Sequence, residues 1–153
     1  MVFLAMLGAC ANPTVSEIET LSPAEVVGLA RSATGQVHVV SLWATWCVPC
    51  LDEIEVLRTI EPKDVRVDIV NIDTSDAFER RARPWLEQRD WKGTGLYRLT
   101  ARDPISELSK AWSQWSGRLP YTVFLRPQGD VCEEYSHALT RADVTEAIER
   151  CRQ

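Results

Sequence analysis

The sequence has no run approaching the roughly 18 consecutive apolar residues that span a bilayer, so no transmembrane helix is expected. It has no basic tract either. The formal net charge is −5, and the densest basic group, Arg80, Arg81 and Arg83, sits beside Glu79 and Glu87 on one expected helix. That pattern is a solvated helical face, which leaves nucleic-acid binding without a surface. There is no internal repeat and no low-complexity segment. Of five cysteines, only Cys47 and Cys50 are spaced as a close pair. A zinc ribbon needs a second such pair, and Cys10, Cys132 and Cys151 do not form one. What is present is a chain of 153 residues, 45% hydrophobic and 25% charged. That is enough for one globular domain with a substantial core and too little for two.

The chain opens on "MVFLAMLGA" and runs into Cys10. The group Leu7-Gly8-Ala9-Cys10 resembles a bacterial lipobox, in which small residues precede a cysteine that is lipidated at the new N-terminus. The apolar stretch is short, and it lacks the preceding Lys or Arg of a signal peptide; a start codon assigned too late accounts for both. The alternative is an ordinary apolar N-terminal segment. Residues 1–9 are thus read as a truncated lipoprotein signal, 10–20 as a lead-in or tether, and 21–153 as the folded domain.

Periodicity predicts β-α-β, an α-rich middle, then β-β-α. A short strand is expected in the lead-in, around Val15 to Glu19. Ser22-Pro23 with Glu25 reads as a helix start, and Gly35 as the stop of a helix reaching about Thr34. "VHVVSLWA" is a strand buried on both faces. Val48 to about Ile60 is a helix with Ile54 and Leu57 inward, ended by Pro62. "VRVDIVNIDT" is the next strand. Ser75 or Asp76 caps a helix that Pro84 interrupts or restarts, and "GLYRLT" is a short strand. Asp103-Pro104 opens a helix with Ile105, Leu108 and Trp112 on one side. "LPYTVFL" and "DVCEEY" form a hairpin across "RPQGD". Thr140 with Asp143 starts the last helix, whose stripe is Val144, Ala147, Ile148 and Cys151.

The chemistry gathers at "WATWCVPC", Trp43 to Cys50. Cys47 falls where a strand ends and a helix begins. Unpaired N–H groups and the macrodipole at a helix N-terminus favour an anion, which lowers the thiol pKa. Cys50, one turn further in, is expected to be less exposed. That asymmetry makes Cys47 the attacking thiol and Cys50 the resolving one. Pro49 lies in the first turn, where its missing N–H costs little.

"VSLWATWCVPC", the following helix with Glu53, "VNID" and "GRLPYTVFL" together resemble the thioredoxin superfamily. More narrowly, they are similar to extracytoplasmic thiol-disulfide oxidoreductases of the TlpA/ResA/CcmG type. The resemblance implies an α/β, thioredoxin-like fold: a central mixed sheet of four to five strands flanked by helices, with a helix-strand insertion at about 75–112. It implies a cis Leu119–Pro120 bond, with the Leu119 backbone available to a substrate strand; the alternative is a trans proline entering an edge strand. It implies no cofactor, since the dithiol carries the two electrons, and a monomer with Trp46 and Pro49 as an apolar contact surface. Partners would be a cysteine-containing protein substrate and a membrane thiol-disulfide carrier, in the periplasm or an equivalent extracytoplasmic space.

The departures matter as much. Thioredoxins keep a buried acid at the position of Ser41 and a lysine at that of Ile69. Glu53 stands where TlpA-like proteins commonly carry Glu, and is either the manager of the Cys50 proton or an exposed helix residue. The proline expected two residues later is Glu55. His137 replaces a glycine near the active-site surface; it either acts on the thiolate or a partner, or simply faces water. His38, inside a strand, reads as structural.

Cys132, early in the last strand, and Cys151, late in the last helix, should lie at the same end of that unit, given the rises of about 3.3 Å per strand residue and 1.5 Å per helix residue. The expectation is a structural disulfide, against two buried free thiols. Such a bond belongs in an oxidising compartment. The functional reading is a periplasmic thiol-disulfide reductant, acting on apocytochrome or copper-site cysteines. The alternative is a thioredoxin-fold Cu(I) chaperone that uses Cys47 and Cys50 as soft ligands, with His137 as the third-ligand candidate.

Overall fold

The computed structural model describes residues 17–153 except 62, 64 and 94. The lipobox with Cys10, the first part of the lead-in and the Pro62 helix stop lie outside the described residues.

The central strand is β2 (Val37–Trp43), buried at every position. Parallel to it runs β3 (Val65–Asn71), then β4 (Gly95–Leu99) and the short β1 (Glu19–Leu21); on its other side lie antiparallel β5 (Tyr121–Leu125) and β6 (Val131–Tyr135). The order is β1-β4-β3-β2-β5-β6, a six-stranded mixed sheet. The extra strand relative to the expected four or five arises because Glu19–Leu21 pairs with β4.

Strand alternation divides the core into two layers. Val37, Val39 and Trp43 of β2 face α2 (Val48–Leu57) and α6 (Arg141–Cys151), whose Ile54, Leu57, Val144, Ala147, Ile148 and Cys151 are buried. Val40, Leu42 and Ala44 face the other layer, with Val26 of α1 (Pro23–Leu29) and Leu108 of α5 (Pro104–Ala111). Trp112 is buried there as expected, but Ile105 is 39% exposed, because it lies one position off the inward stripe.

Both expected N-caps with reciprocal bonds are present, Ser22 with Glu25 and Thr140 with Asp143. Other boundaries move. Helix α1 ends at Leu29, five residues before Thr34, because residues 31–35 dock on the β5–β6 turn: Thr34 and Gly35 N–H donate to Pro127 O at 3.2 and 3.0 Å. Gly129 in that turn has φ +98, and a Cβ there would meet Ala33 N at 2.8 Å and Arg31 O at 2.9 Å. Only glycine fits both demands. Helix α2 stops at Leu57 rather than Ile60. After β3, the cap is Thr74, whose hydroxyl accepts from Ala77 N–H, not Ser75 or Asp76. Helix α3 (Ser75–Ala77) widens into a π-helical stretch, Phe78–Ala82, and Pro84 lies in the first turn of α4 (Arg83–Glu87). Pro84 has no N–H to give the helix, and Arg83 before it still donates to Phe78 O across the wider π turn. In this segment Arg80 meets Asp76 and Arg83 meets Glu79, which Arg98 of β4 also reaches.

Candidate redox site

Beyond β2 the chain makes a tight turn in which Cys47 N–H donates to Ala44 O at 3.1 Å. The turn throws Trp46 outward, 56% exposed, and sets Cys47 as the N-cap of α2. Cys50 N–H donates to Cys47 O at 3.0 Å and to Cys47 Sγ at 3.3 Å. A sulfur that accepts from a helix N-terminal N–H is the geometry that stabilises a thiolate. The two cysteines are joined as a disulfide, Cα–Cα 5.2 Å, so this is the oxidised form. Cys47 is 6% exposed and Cys50 1%, so the residue expected to attack is the more exposed of the two. Val48 and Pro49 are exposed beside Trp46, completing an apolar rim around an almost covered disulfide.

The Leu119–Pro120 peptide is cis. Pro120 is buried, and Leu119 is half-buried and packs on both core layers. The loop leading in is braced by the Trp115 indole N–H, which donates to Arg118 O at 2.8 Å.

Beneath the dithiol lies a polar cluster inside the apolar layer. Glu53, in the second turn of α2, is 1% exposed, not a surface helix residue. The Ser41 hydroxyl donates to its Oε1 at 3.0 Å, the Thr122 hydroxyl donates to the same oxygen, and Leu139 N–H donates to Oε2 at 2.9 Å. Burial pushes the Glu53 carboxyl up from its ordinary value; the bonds from Thr122, Leu139 and Ser41 and the charge of His137 oppose that rise without cancelling it. Such a carboxyl can hold or release a proton at higher pH than a free glutamate. Ile69 pairs in register with Ser41 and is buried apolar core, so no lysine accompanies the acid. Glu55, at the position of the family's proline, accepts from Arg58 and Arg89. His137 is exposed and stacks edge-on against Tyr135 at 5.6 Å.

Thr122 and Leu139 are the members that sequence reasoning missed. A signal for Thr122 existed: it is the one polar residue inside "YTVFL", and β5 places it opposite Ser41. No side chain announces a backbone N–H, so Leu139 had none. Trp85, from the middle segment, packs on Trp43 at 5.4 Å.

The remaining candidates lie elsewhere. His38 is fully buried near the start of β2, at the end of the strand away from the dithiol, with Nε2 2.8 Å from Asp68 Oδ2. Arg66 Nε donates to the same oxygen at 2.7 Å and Arg66 Nη2 to Tyr97 OH at 3.1 Å. Cys132 and Cys151 are joined, Cα–Cα 5.7 Å. Cys132 is the extra residue of a bulge between Leu125–Val131 and Phe124–Glu133, and the bulge turns it towards α6.

An α/β sheet of this topology, with a Cys-x-x-Cys at a helix N-cap and a cis-proline at the entry to β5, defines a thioredoxin-fold thiol-disulfide oxidoreductase. The Redoxin family model matches residues 7–148, and the chain belongs to that family. Solved structures share the fold. A thioredoxin-related protein from Neisseria meningitidis serogroup B is 25% identical, with TM-score 0.58 over 77% of this chain and 86% of its own. A DsbF homologue from Corynebacterium diphtheriae is 18% identical, TM-score 0.60, covering 76% and 73%. The exposed lipoprotein thioredoxin of Streptococcus pneumoniae is 16% identical, TM-score 0.55, covering 76% and 86%. Among the described residues no helix is long and apolar enough to cross a membrane.

Proposed function

We propose that the protein is an extracytoplasmic reductant of protein disulfides. The observation that supports thiol exchange here is the buried Glu53 carboxyl one turn beyond Cys50, which we read as the proton acceptor for the resolving thiol in place of the absent strand acid; the reductant direction follows from the TlpA-like resemblance. The Cys47 thiolate attacks a substrate disulfide sulfur, forming a mixed disulfide and releasing one substrate thiolate. Cys50 then gives up its proton towards Glu53, directly or through water, and attacks Cys47 Sγ. The second substrate thiolate leaves, and Cys47–Cys50 is oxidised by two electrons. Trp46 and Pro49 provide the apolar contact, the backbone of Leu119 beside Pro120 pairs with the substrate strand, and His137 modulates Glu53. The substrate class is a protein with a cysteine pair, such as an apocytochrome or a copper site, and a membrane thiol-disulfide carrier restores the dithiol.

A Cys132–Cys151 staple belongs in an oxidising compartment, and a lipid on Cys10 would tether the domain there; the lipoprotein among the structural relatives supports that placement. The test is the glutathione or dithiothreitol redox equilibrium of Cys47/Cys50, run beside insulin reduction and a Cu(I) titration. A couple near thioredoxin's potential of about −270 mV with active insulin reduction is expected. A couple near DsbA's roughly −120 mV would make the protein an oxidant and refute the reading. Tight Cu(I) binding without disulfide reduction would replace it with the chaperone.

A further inference from the structure

The motif "VNID" recurs in the site in a way that the thiol chemistry does not use. Strand pairing of β3 with β2 continues one residue past Asn71, where Ile72 N–H donates to Trp43 O at 2.8 Å. Asp73 then folds back: its own N–H donates to Asn71 Oδ1 at 3.0 Å, and its Oδ2 accepts from Asn71 Nδ2 at 2.9 Å. The same Oδ2 accepts from Thr45 N–H at 3.0 Å. Asp73 is 3% exposed and Asn71 fully buried. Thr45 and Trp46 are the two central residues of the turn that the Cys47 N–H to Ala44 O bond closes. Thr45 is half-buried, and its N–H is committed to Asp73 Oδ2.

We propose that Asp73, clamped by Asn71, is a positioning residue for thiol exchange: it fixes the Ala44–Cys47 turn so that Trp46 faces outward and Cys47 sits at the helix N-cap. The loop is short, and the clamp comes from the neighbouring strand. The turn is therefore held at its closed end by its own bond and at its open side by a rigid sheet element. Both incoming bonds fall on Oδ2, while Oδ1 has no partner among the described residues. An asparagine oxygen in the place of Oδ2 can accept both bonds, so geometry rather than charge is what Asp73 contributes.

The experiment compares wild type, Asp73→Ala and Asp73→Asn, well below their melting temperatures. It measures the rate of exchange between the reduced protein and a glutathionylated peptide, and the Cys47/Cys50 equilibrium with glutathione. D73A is expected to slow exchange by about tenfold, the kinetic equivalent of one ordinary hydrogen bond, and to shift the equilibrium. D73N is expected to recover most of the rate. A purely structural role would lower the melting temperature and leave both readouts of the folded protein unchanged. That result overturns the proposal, as does D73N exchanging as slowly as D73A. If D73A does not fold, Asn71→Ala carries the test, since it frees the carboxylate without touching Thr45; slower exchange supports the clamp and an unchanged rate overturns it. The inference rests on exchange at Cys47, not on its direction. The wild-type potential reads the reductant proposal, and the variant-to-wild-type ratio reads this one.

Discussion

Replacing Glu53 separates two effects that the buried cluster combines. In Glu53→Ala, Leu139 N–H loses its acceptor inside the core, which costs about 1–3 kcal/mol. The removed methylene packing adds roughly 1–2 kcal/mol, while the cost of burying a carboxyl disappears. Ser41 and Thr122 keep each other, because the Thr122 hydroxyl already lies 2.9 Å from Ser41 Oγ. The net loss should be about 2–4 kcal/mol, or roughly 5–15 °C in melting temperature for a chain of this length. Glu53→Gln keeps the shape. Its oxygen can face Leu139 N–H and its amide can donate to the two hydroxyls, which also accept, so no orphan remains.

The pH dependence follows from the raised Glu53 pKa. Below the unfolded-state value both states hold the proton, and the group is neutral to stability. Between that value and the raised folded one, the folded state binds more protons, so stability falls as pH rises. Above the folded value the loss is complete. E53Q has no such group. Urea melts of the oxidised proteins across a pH series should therefore show the difference, E53Q minus wild type, growing with pH through the acid-to-neutral range. A difference that is flat or shrinks with pH would falsify the assignment of Glu53 as a buried carboxyl with a raised pKa. In the reduced protein the same variant should slow disulfide exchange and change its pH profile; an unchanged profile removes Glu53 from proton management.

Cys151→Ser should cost roughly 3 kcal/mol in the chain-entropy model for a closure of 19 positions, seen as a lower urea midpoint with Cys47/Cys50 exchange intact. A peptide map without a Cys132–Cys151 linkage would remove the basis for it. Asp68→Ala leaves His38 Nε2 without its partner and Arg66 with Tyr97 alone, so a loss of about 3–5 kcal/mol is expected; a loss under about 1 kcal/mol would show that the cluster contributes little. Trp46→Ala should slow exchange with a protein disulfide by several-fold more than exchange with glutathione, as measured by stopped flow. Equal slowing of both would argue against a substrate-contact role.

Much of the scaffold was legible because its signals are local. Ser22-Pro23-Glu25 and Thr140-Asp143 carry their own capping bonds, and "VHVVSLW" could only be a strand buried on both faces. The failures arise where tertiary contact overrides local preference. Gly35 looked like a helix stop, yet residues 31–35 are held by Pro127 O from a turn almost a hundred positions away. That turn can approach only because residue 129 has no Cβ. Likewise, nothing in "DVCEEY" announces a bulge, although without one, alternation would aim Cys132 with Glu134, away from α6. Glu134 indeed accepts from Tyr121 OH, while Glu133 meets Arg150 of α6.

The site shows the same division. Reading Ser41 and Ile69 in place of the usual acid and lysine implied that the usual proton acceptor was missing, and left Glu53 as the candidate replacement or as an exposed helix residue. In the folded protein the Ser41 hydroxyl donates to a carboxylate that arrives from α2 instead. The acid has moved from the strand to the helix, and its surroundings explain how a lone carboxyl survives there without a lysine: two hydroxyls and one backbone N–H supply donors on both oxygens. The relocation has a consequence for function. Glu53 and Cys50 lie three residues apart on one face of a single helix, so a shift of α2 when the disulfide opens carries acid and thiol together. A strand acid would stay with the sheet while the thiol moved. On the role proposed for Glu53, proton transfer from Cys50 is thereby tied to an internal helix spacing rather than to the fit between helix and sheet.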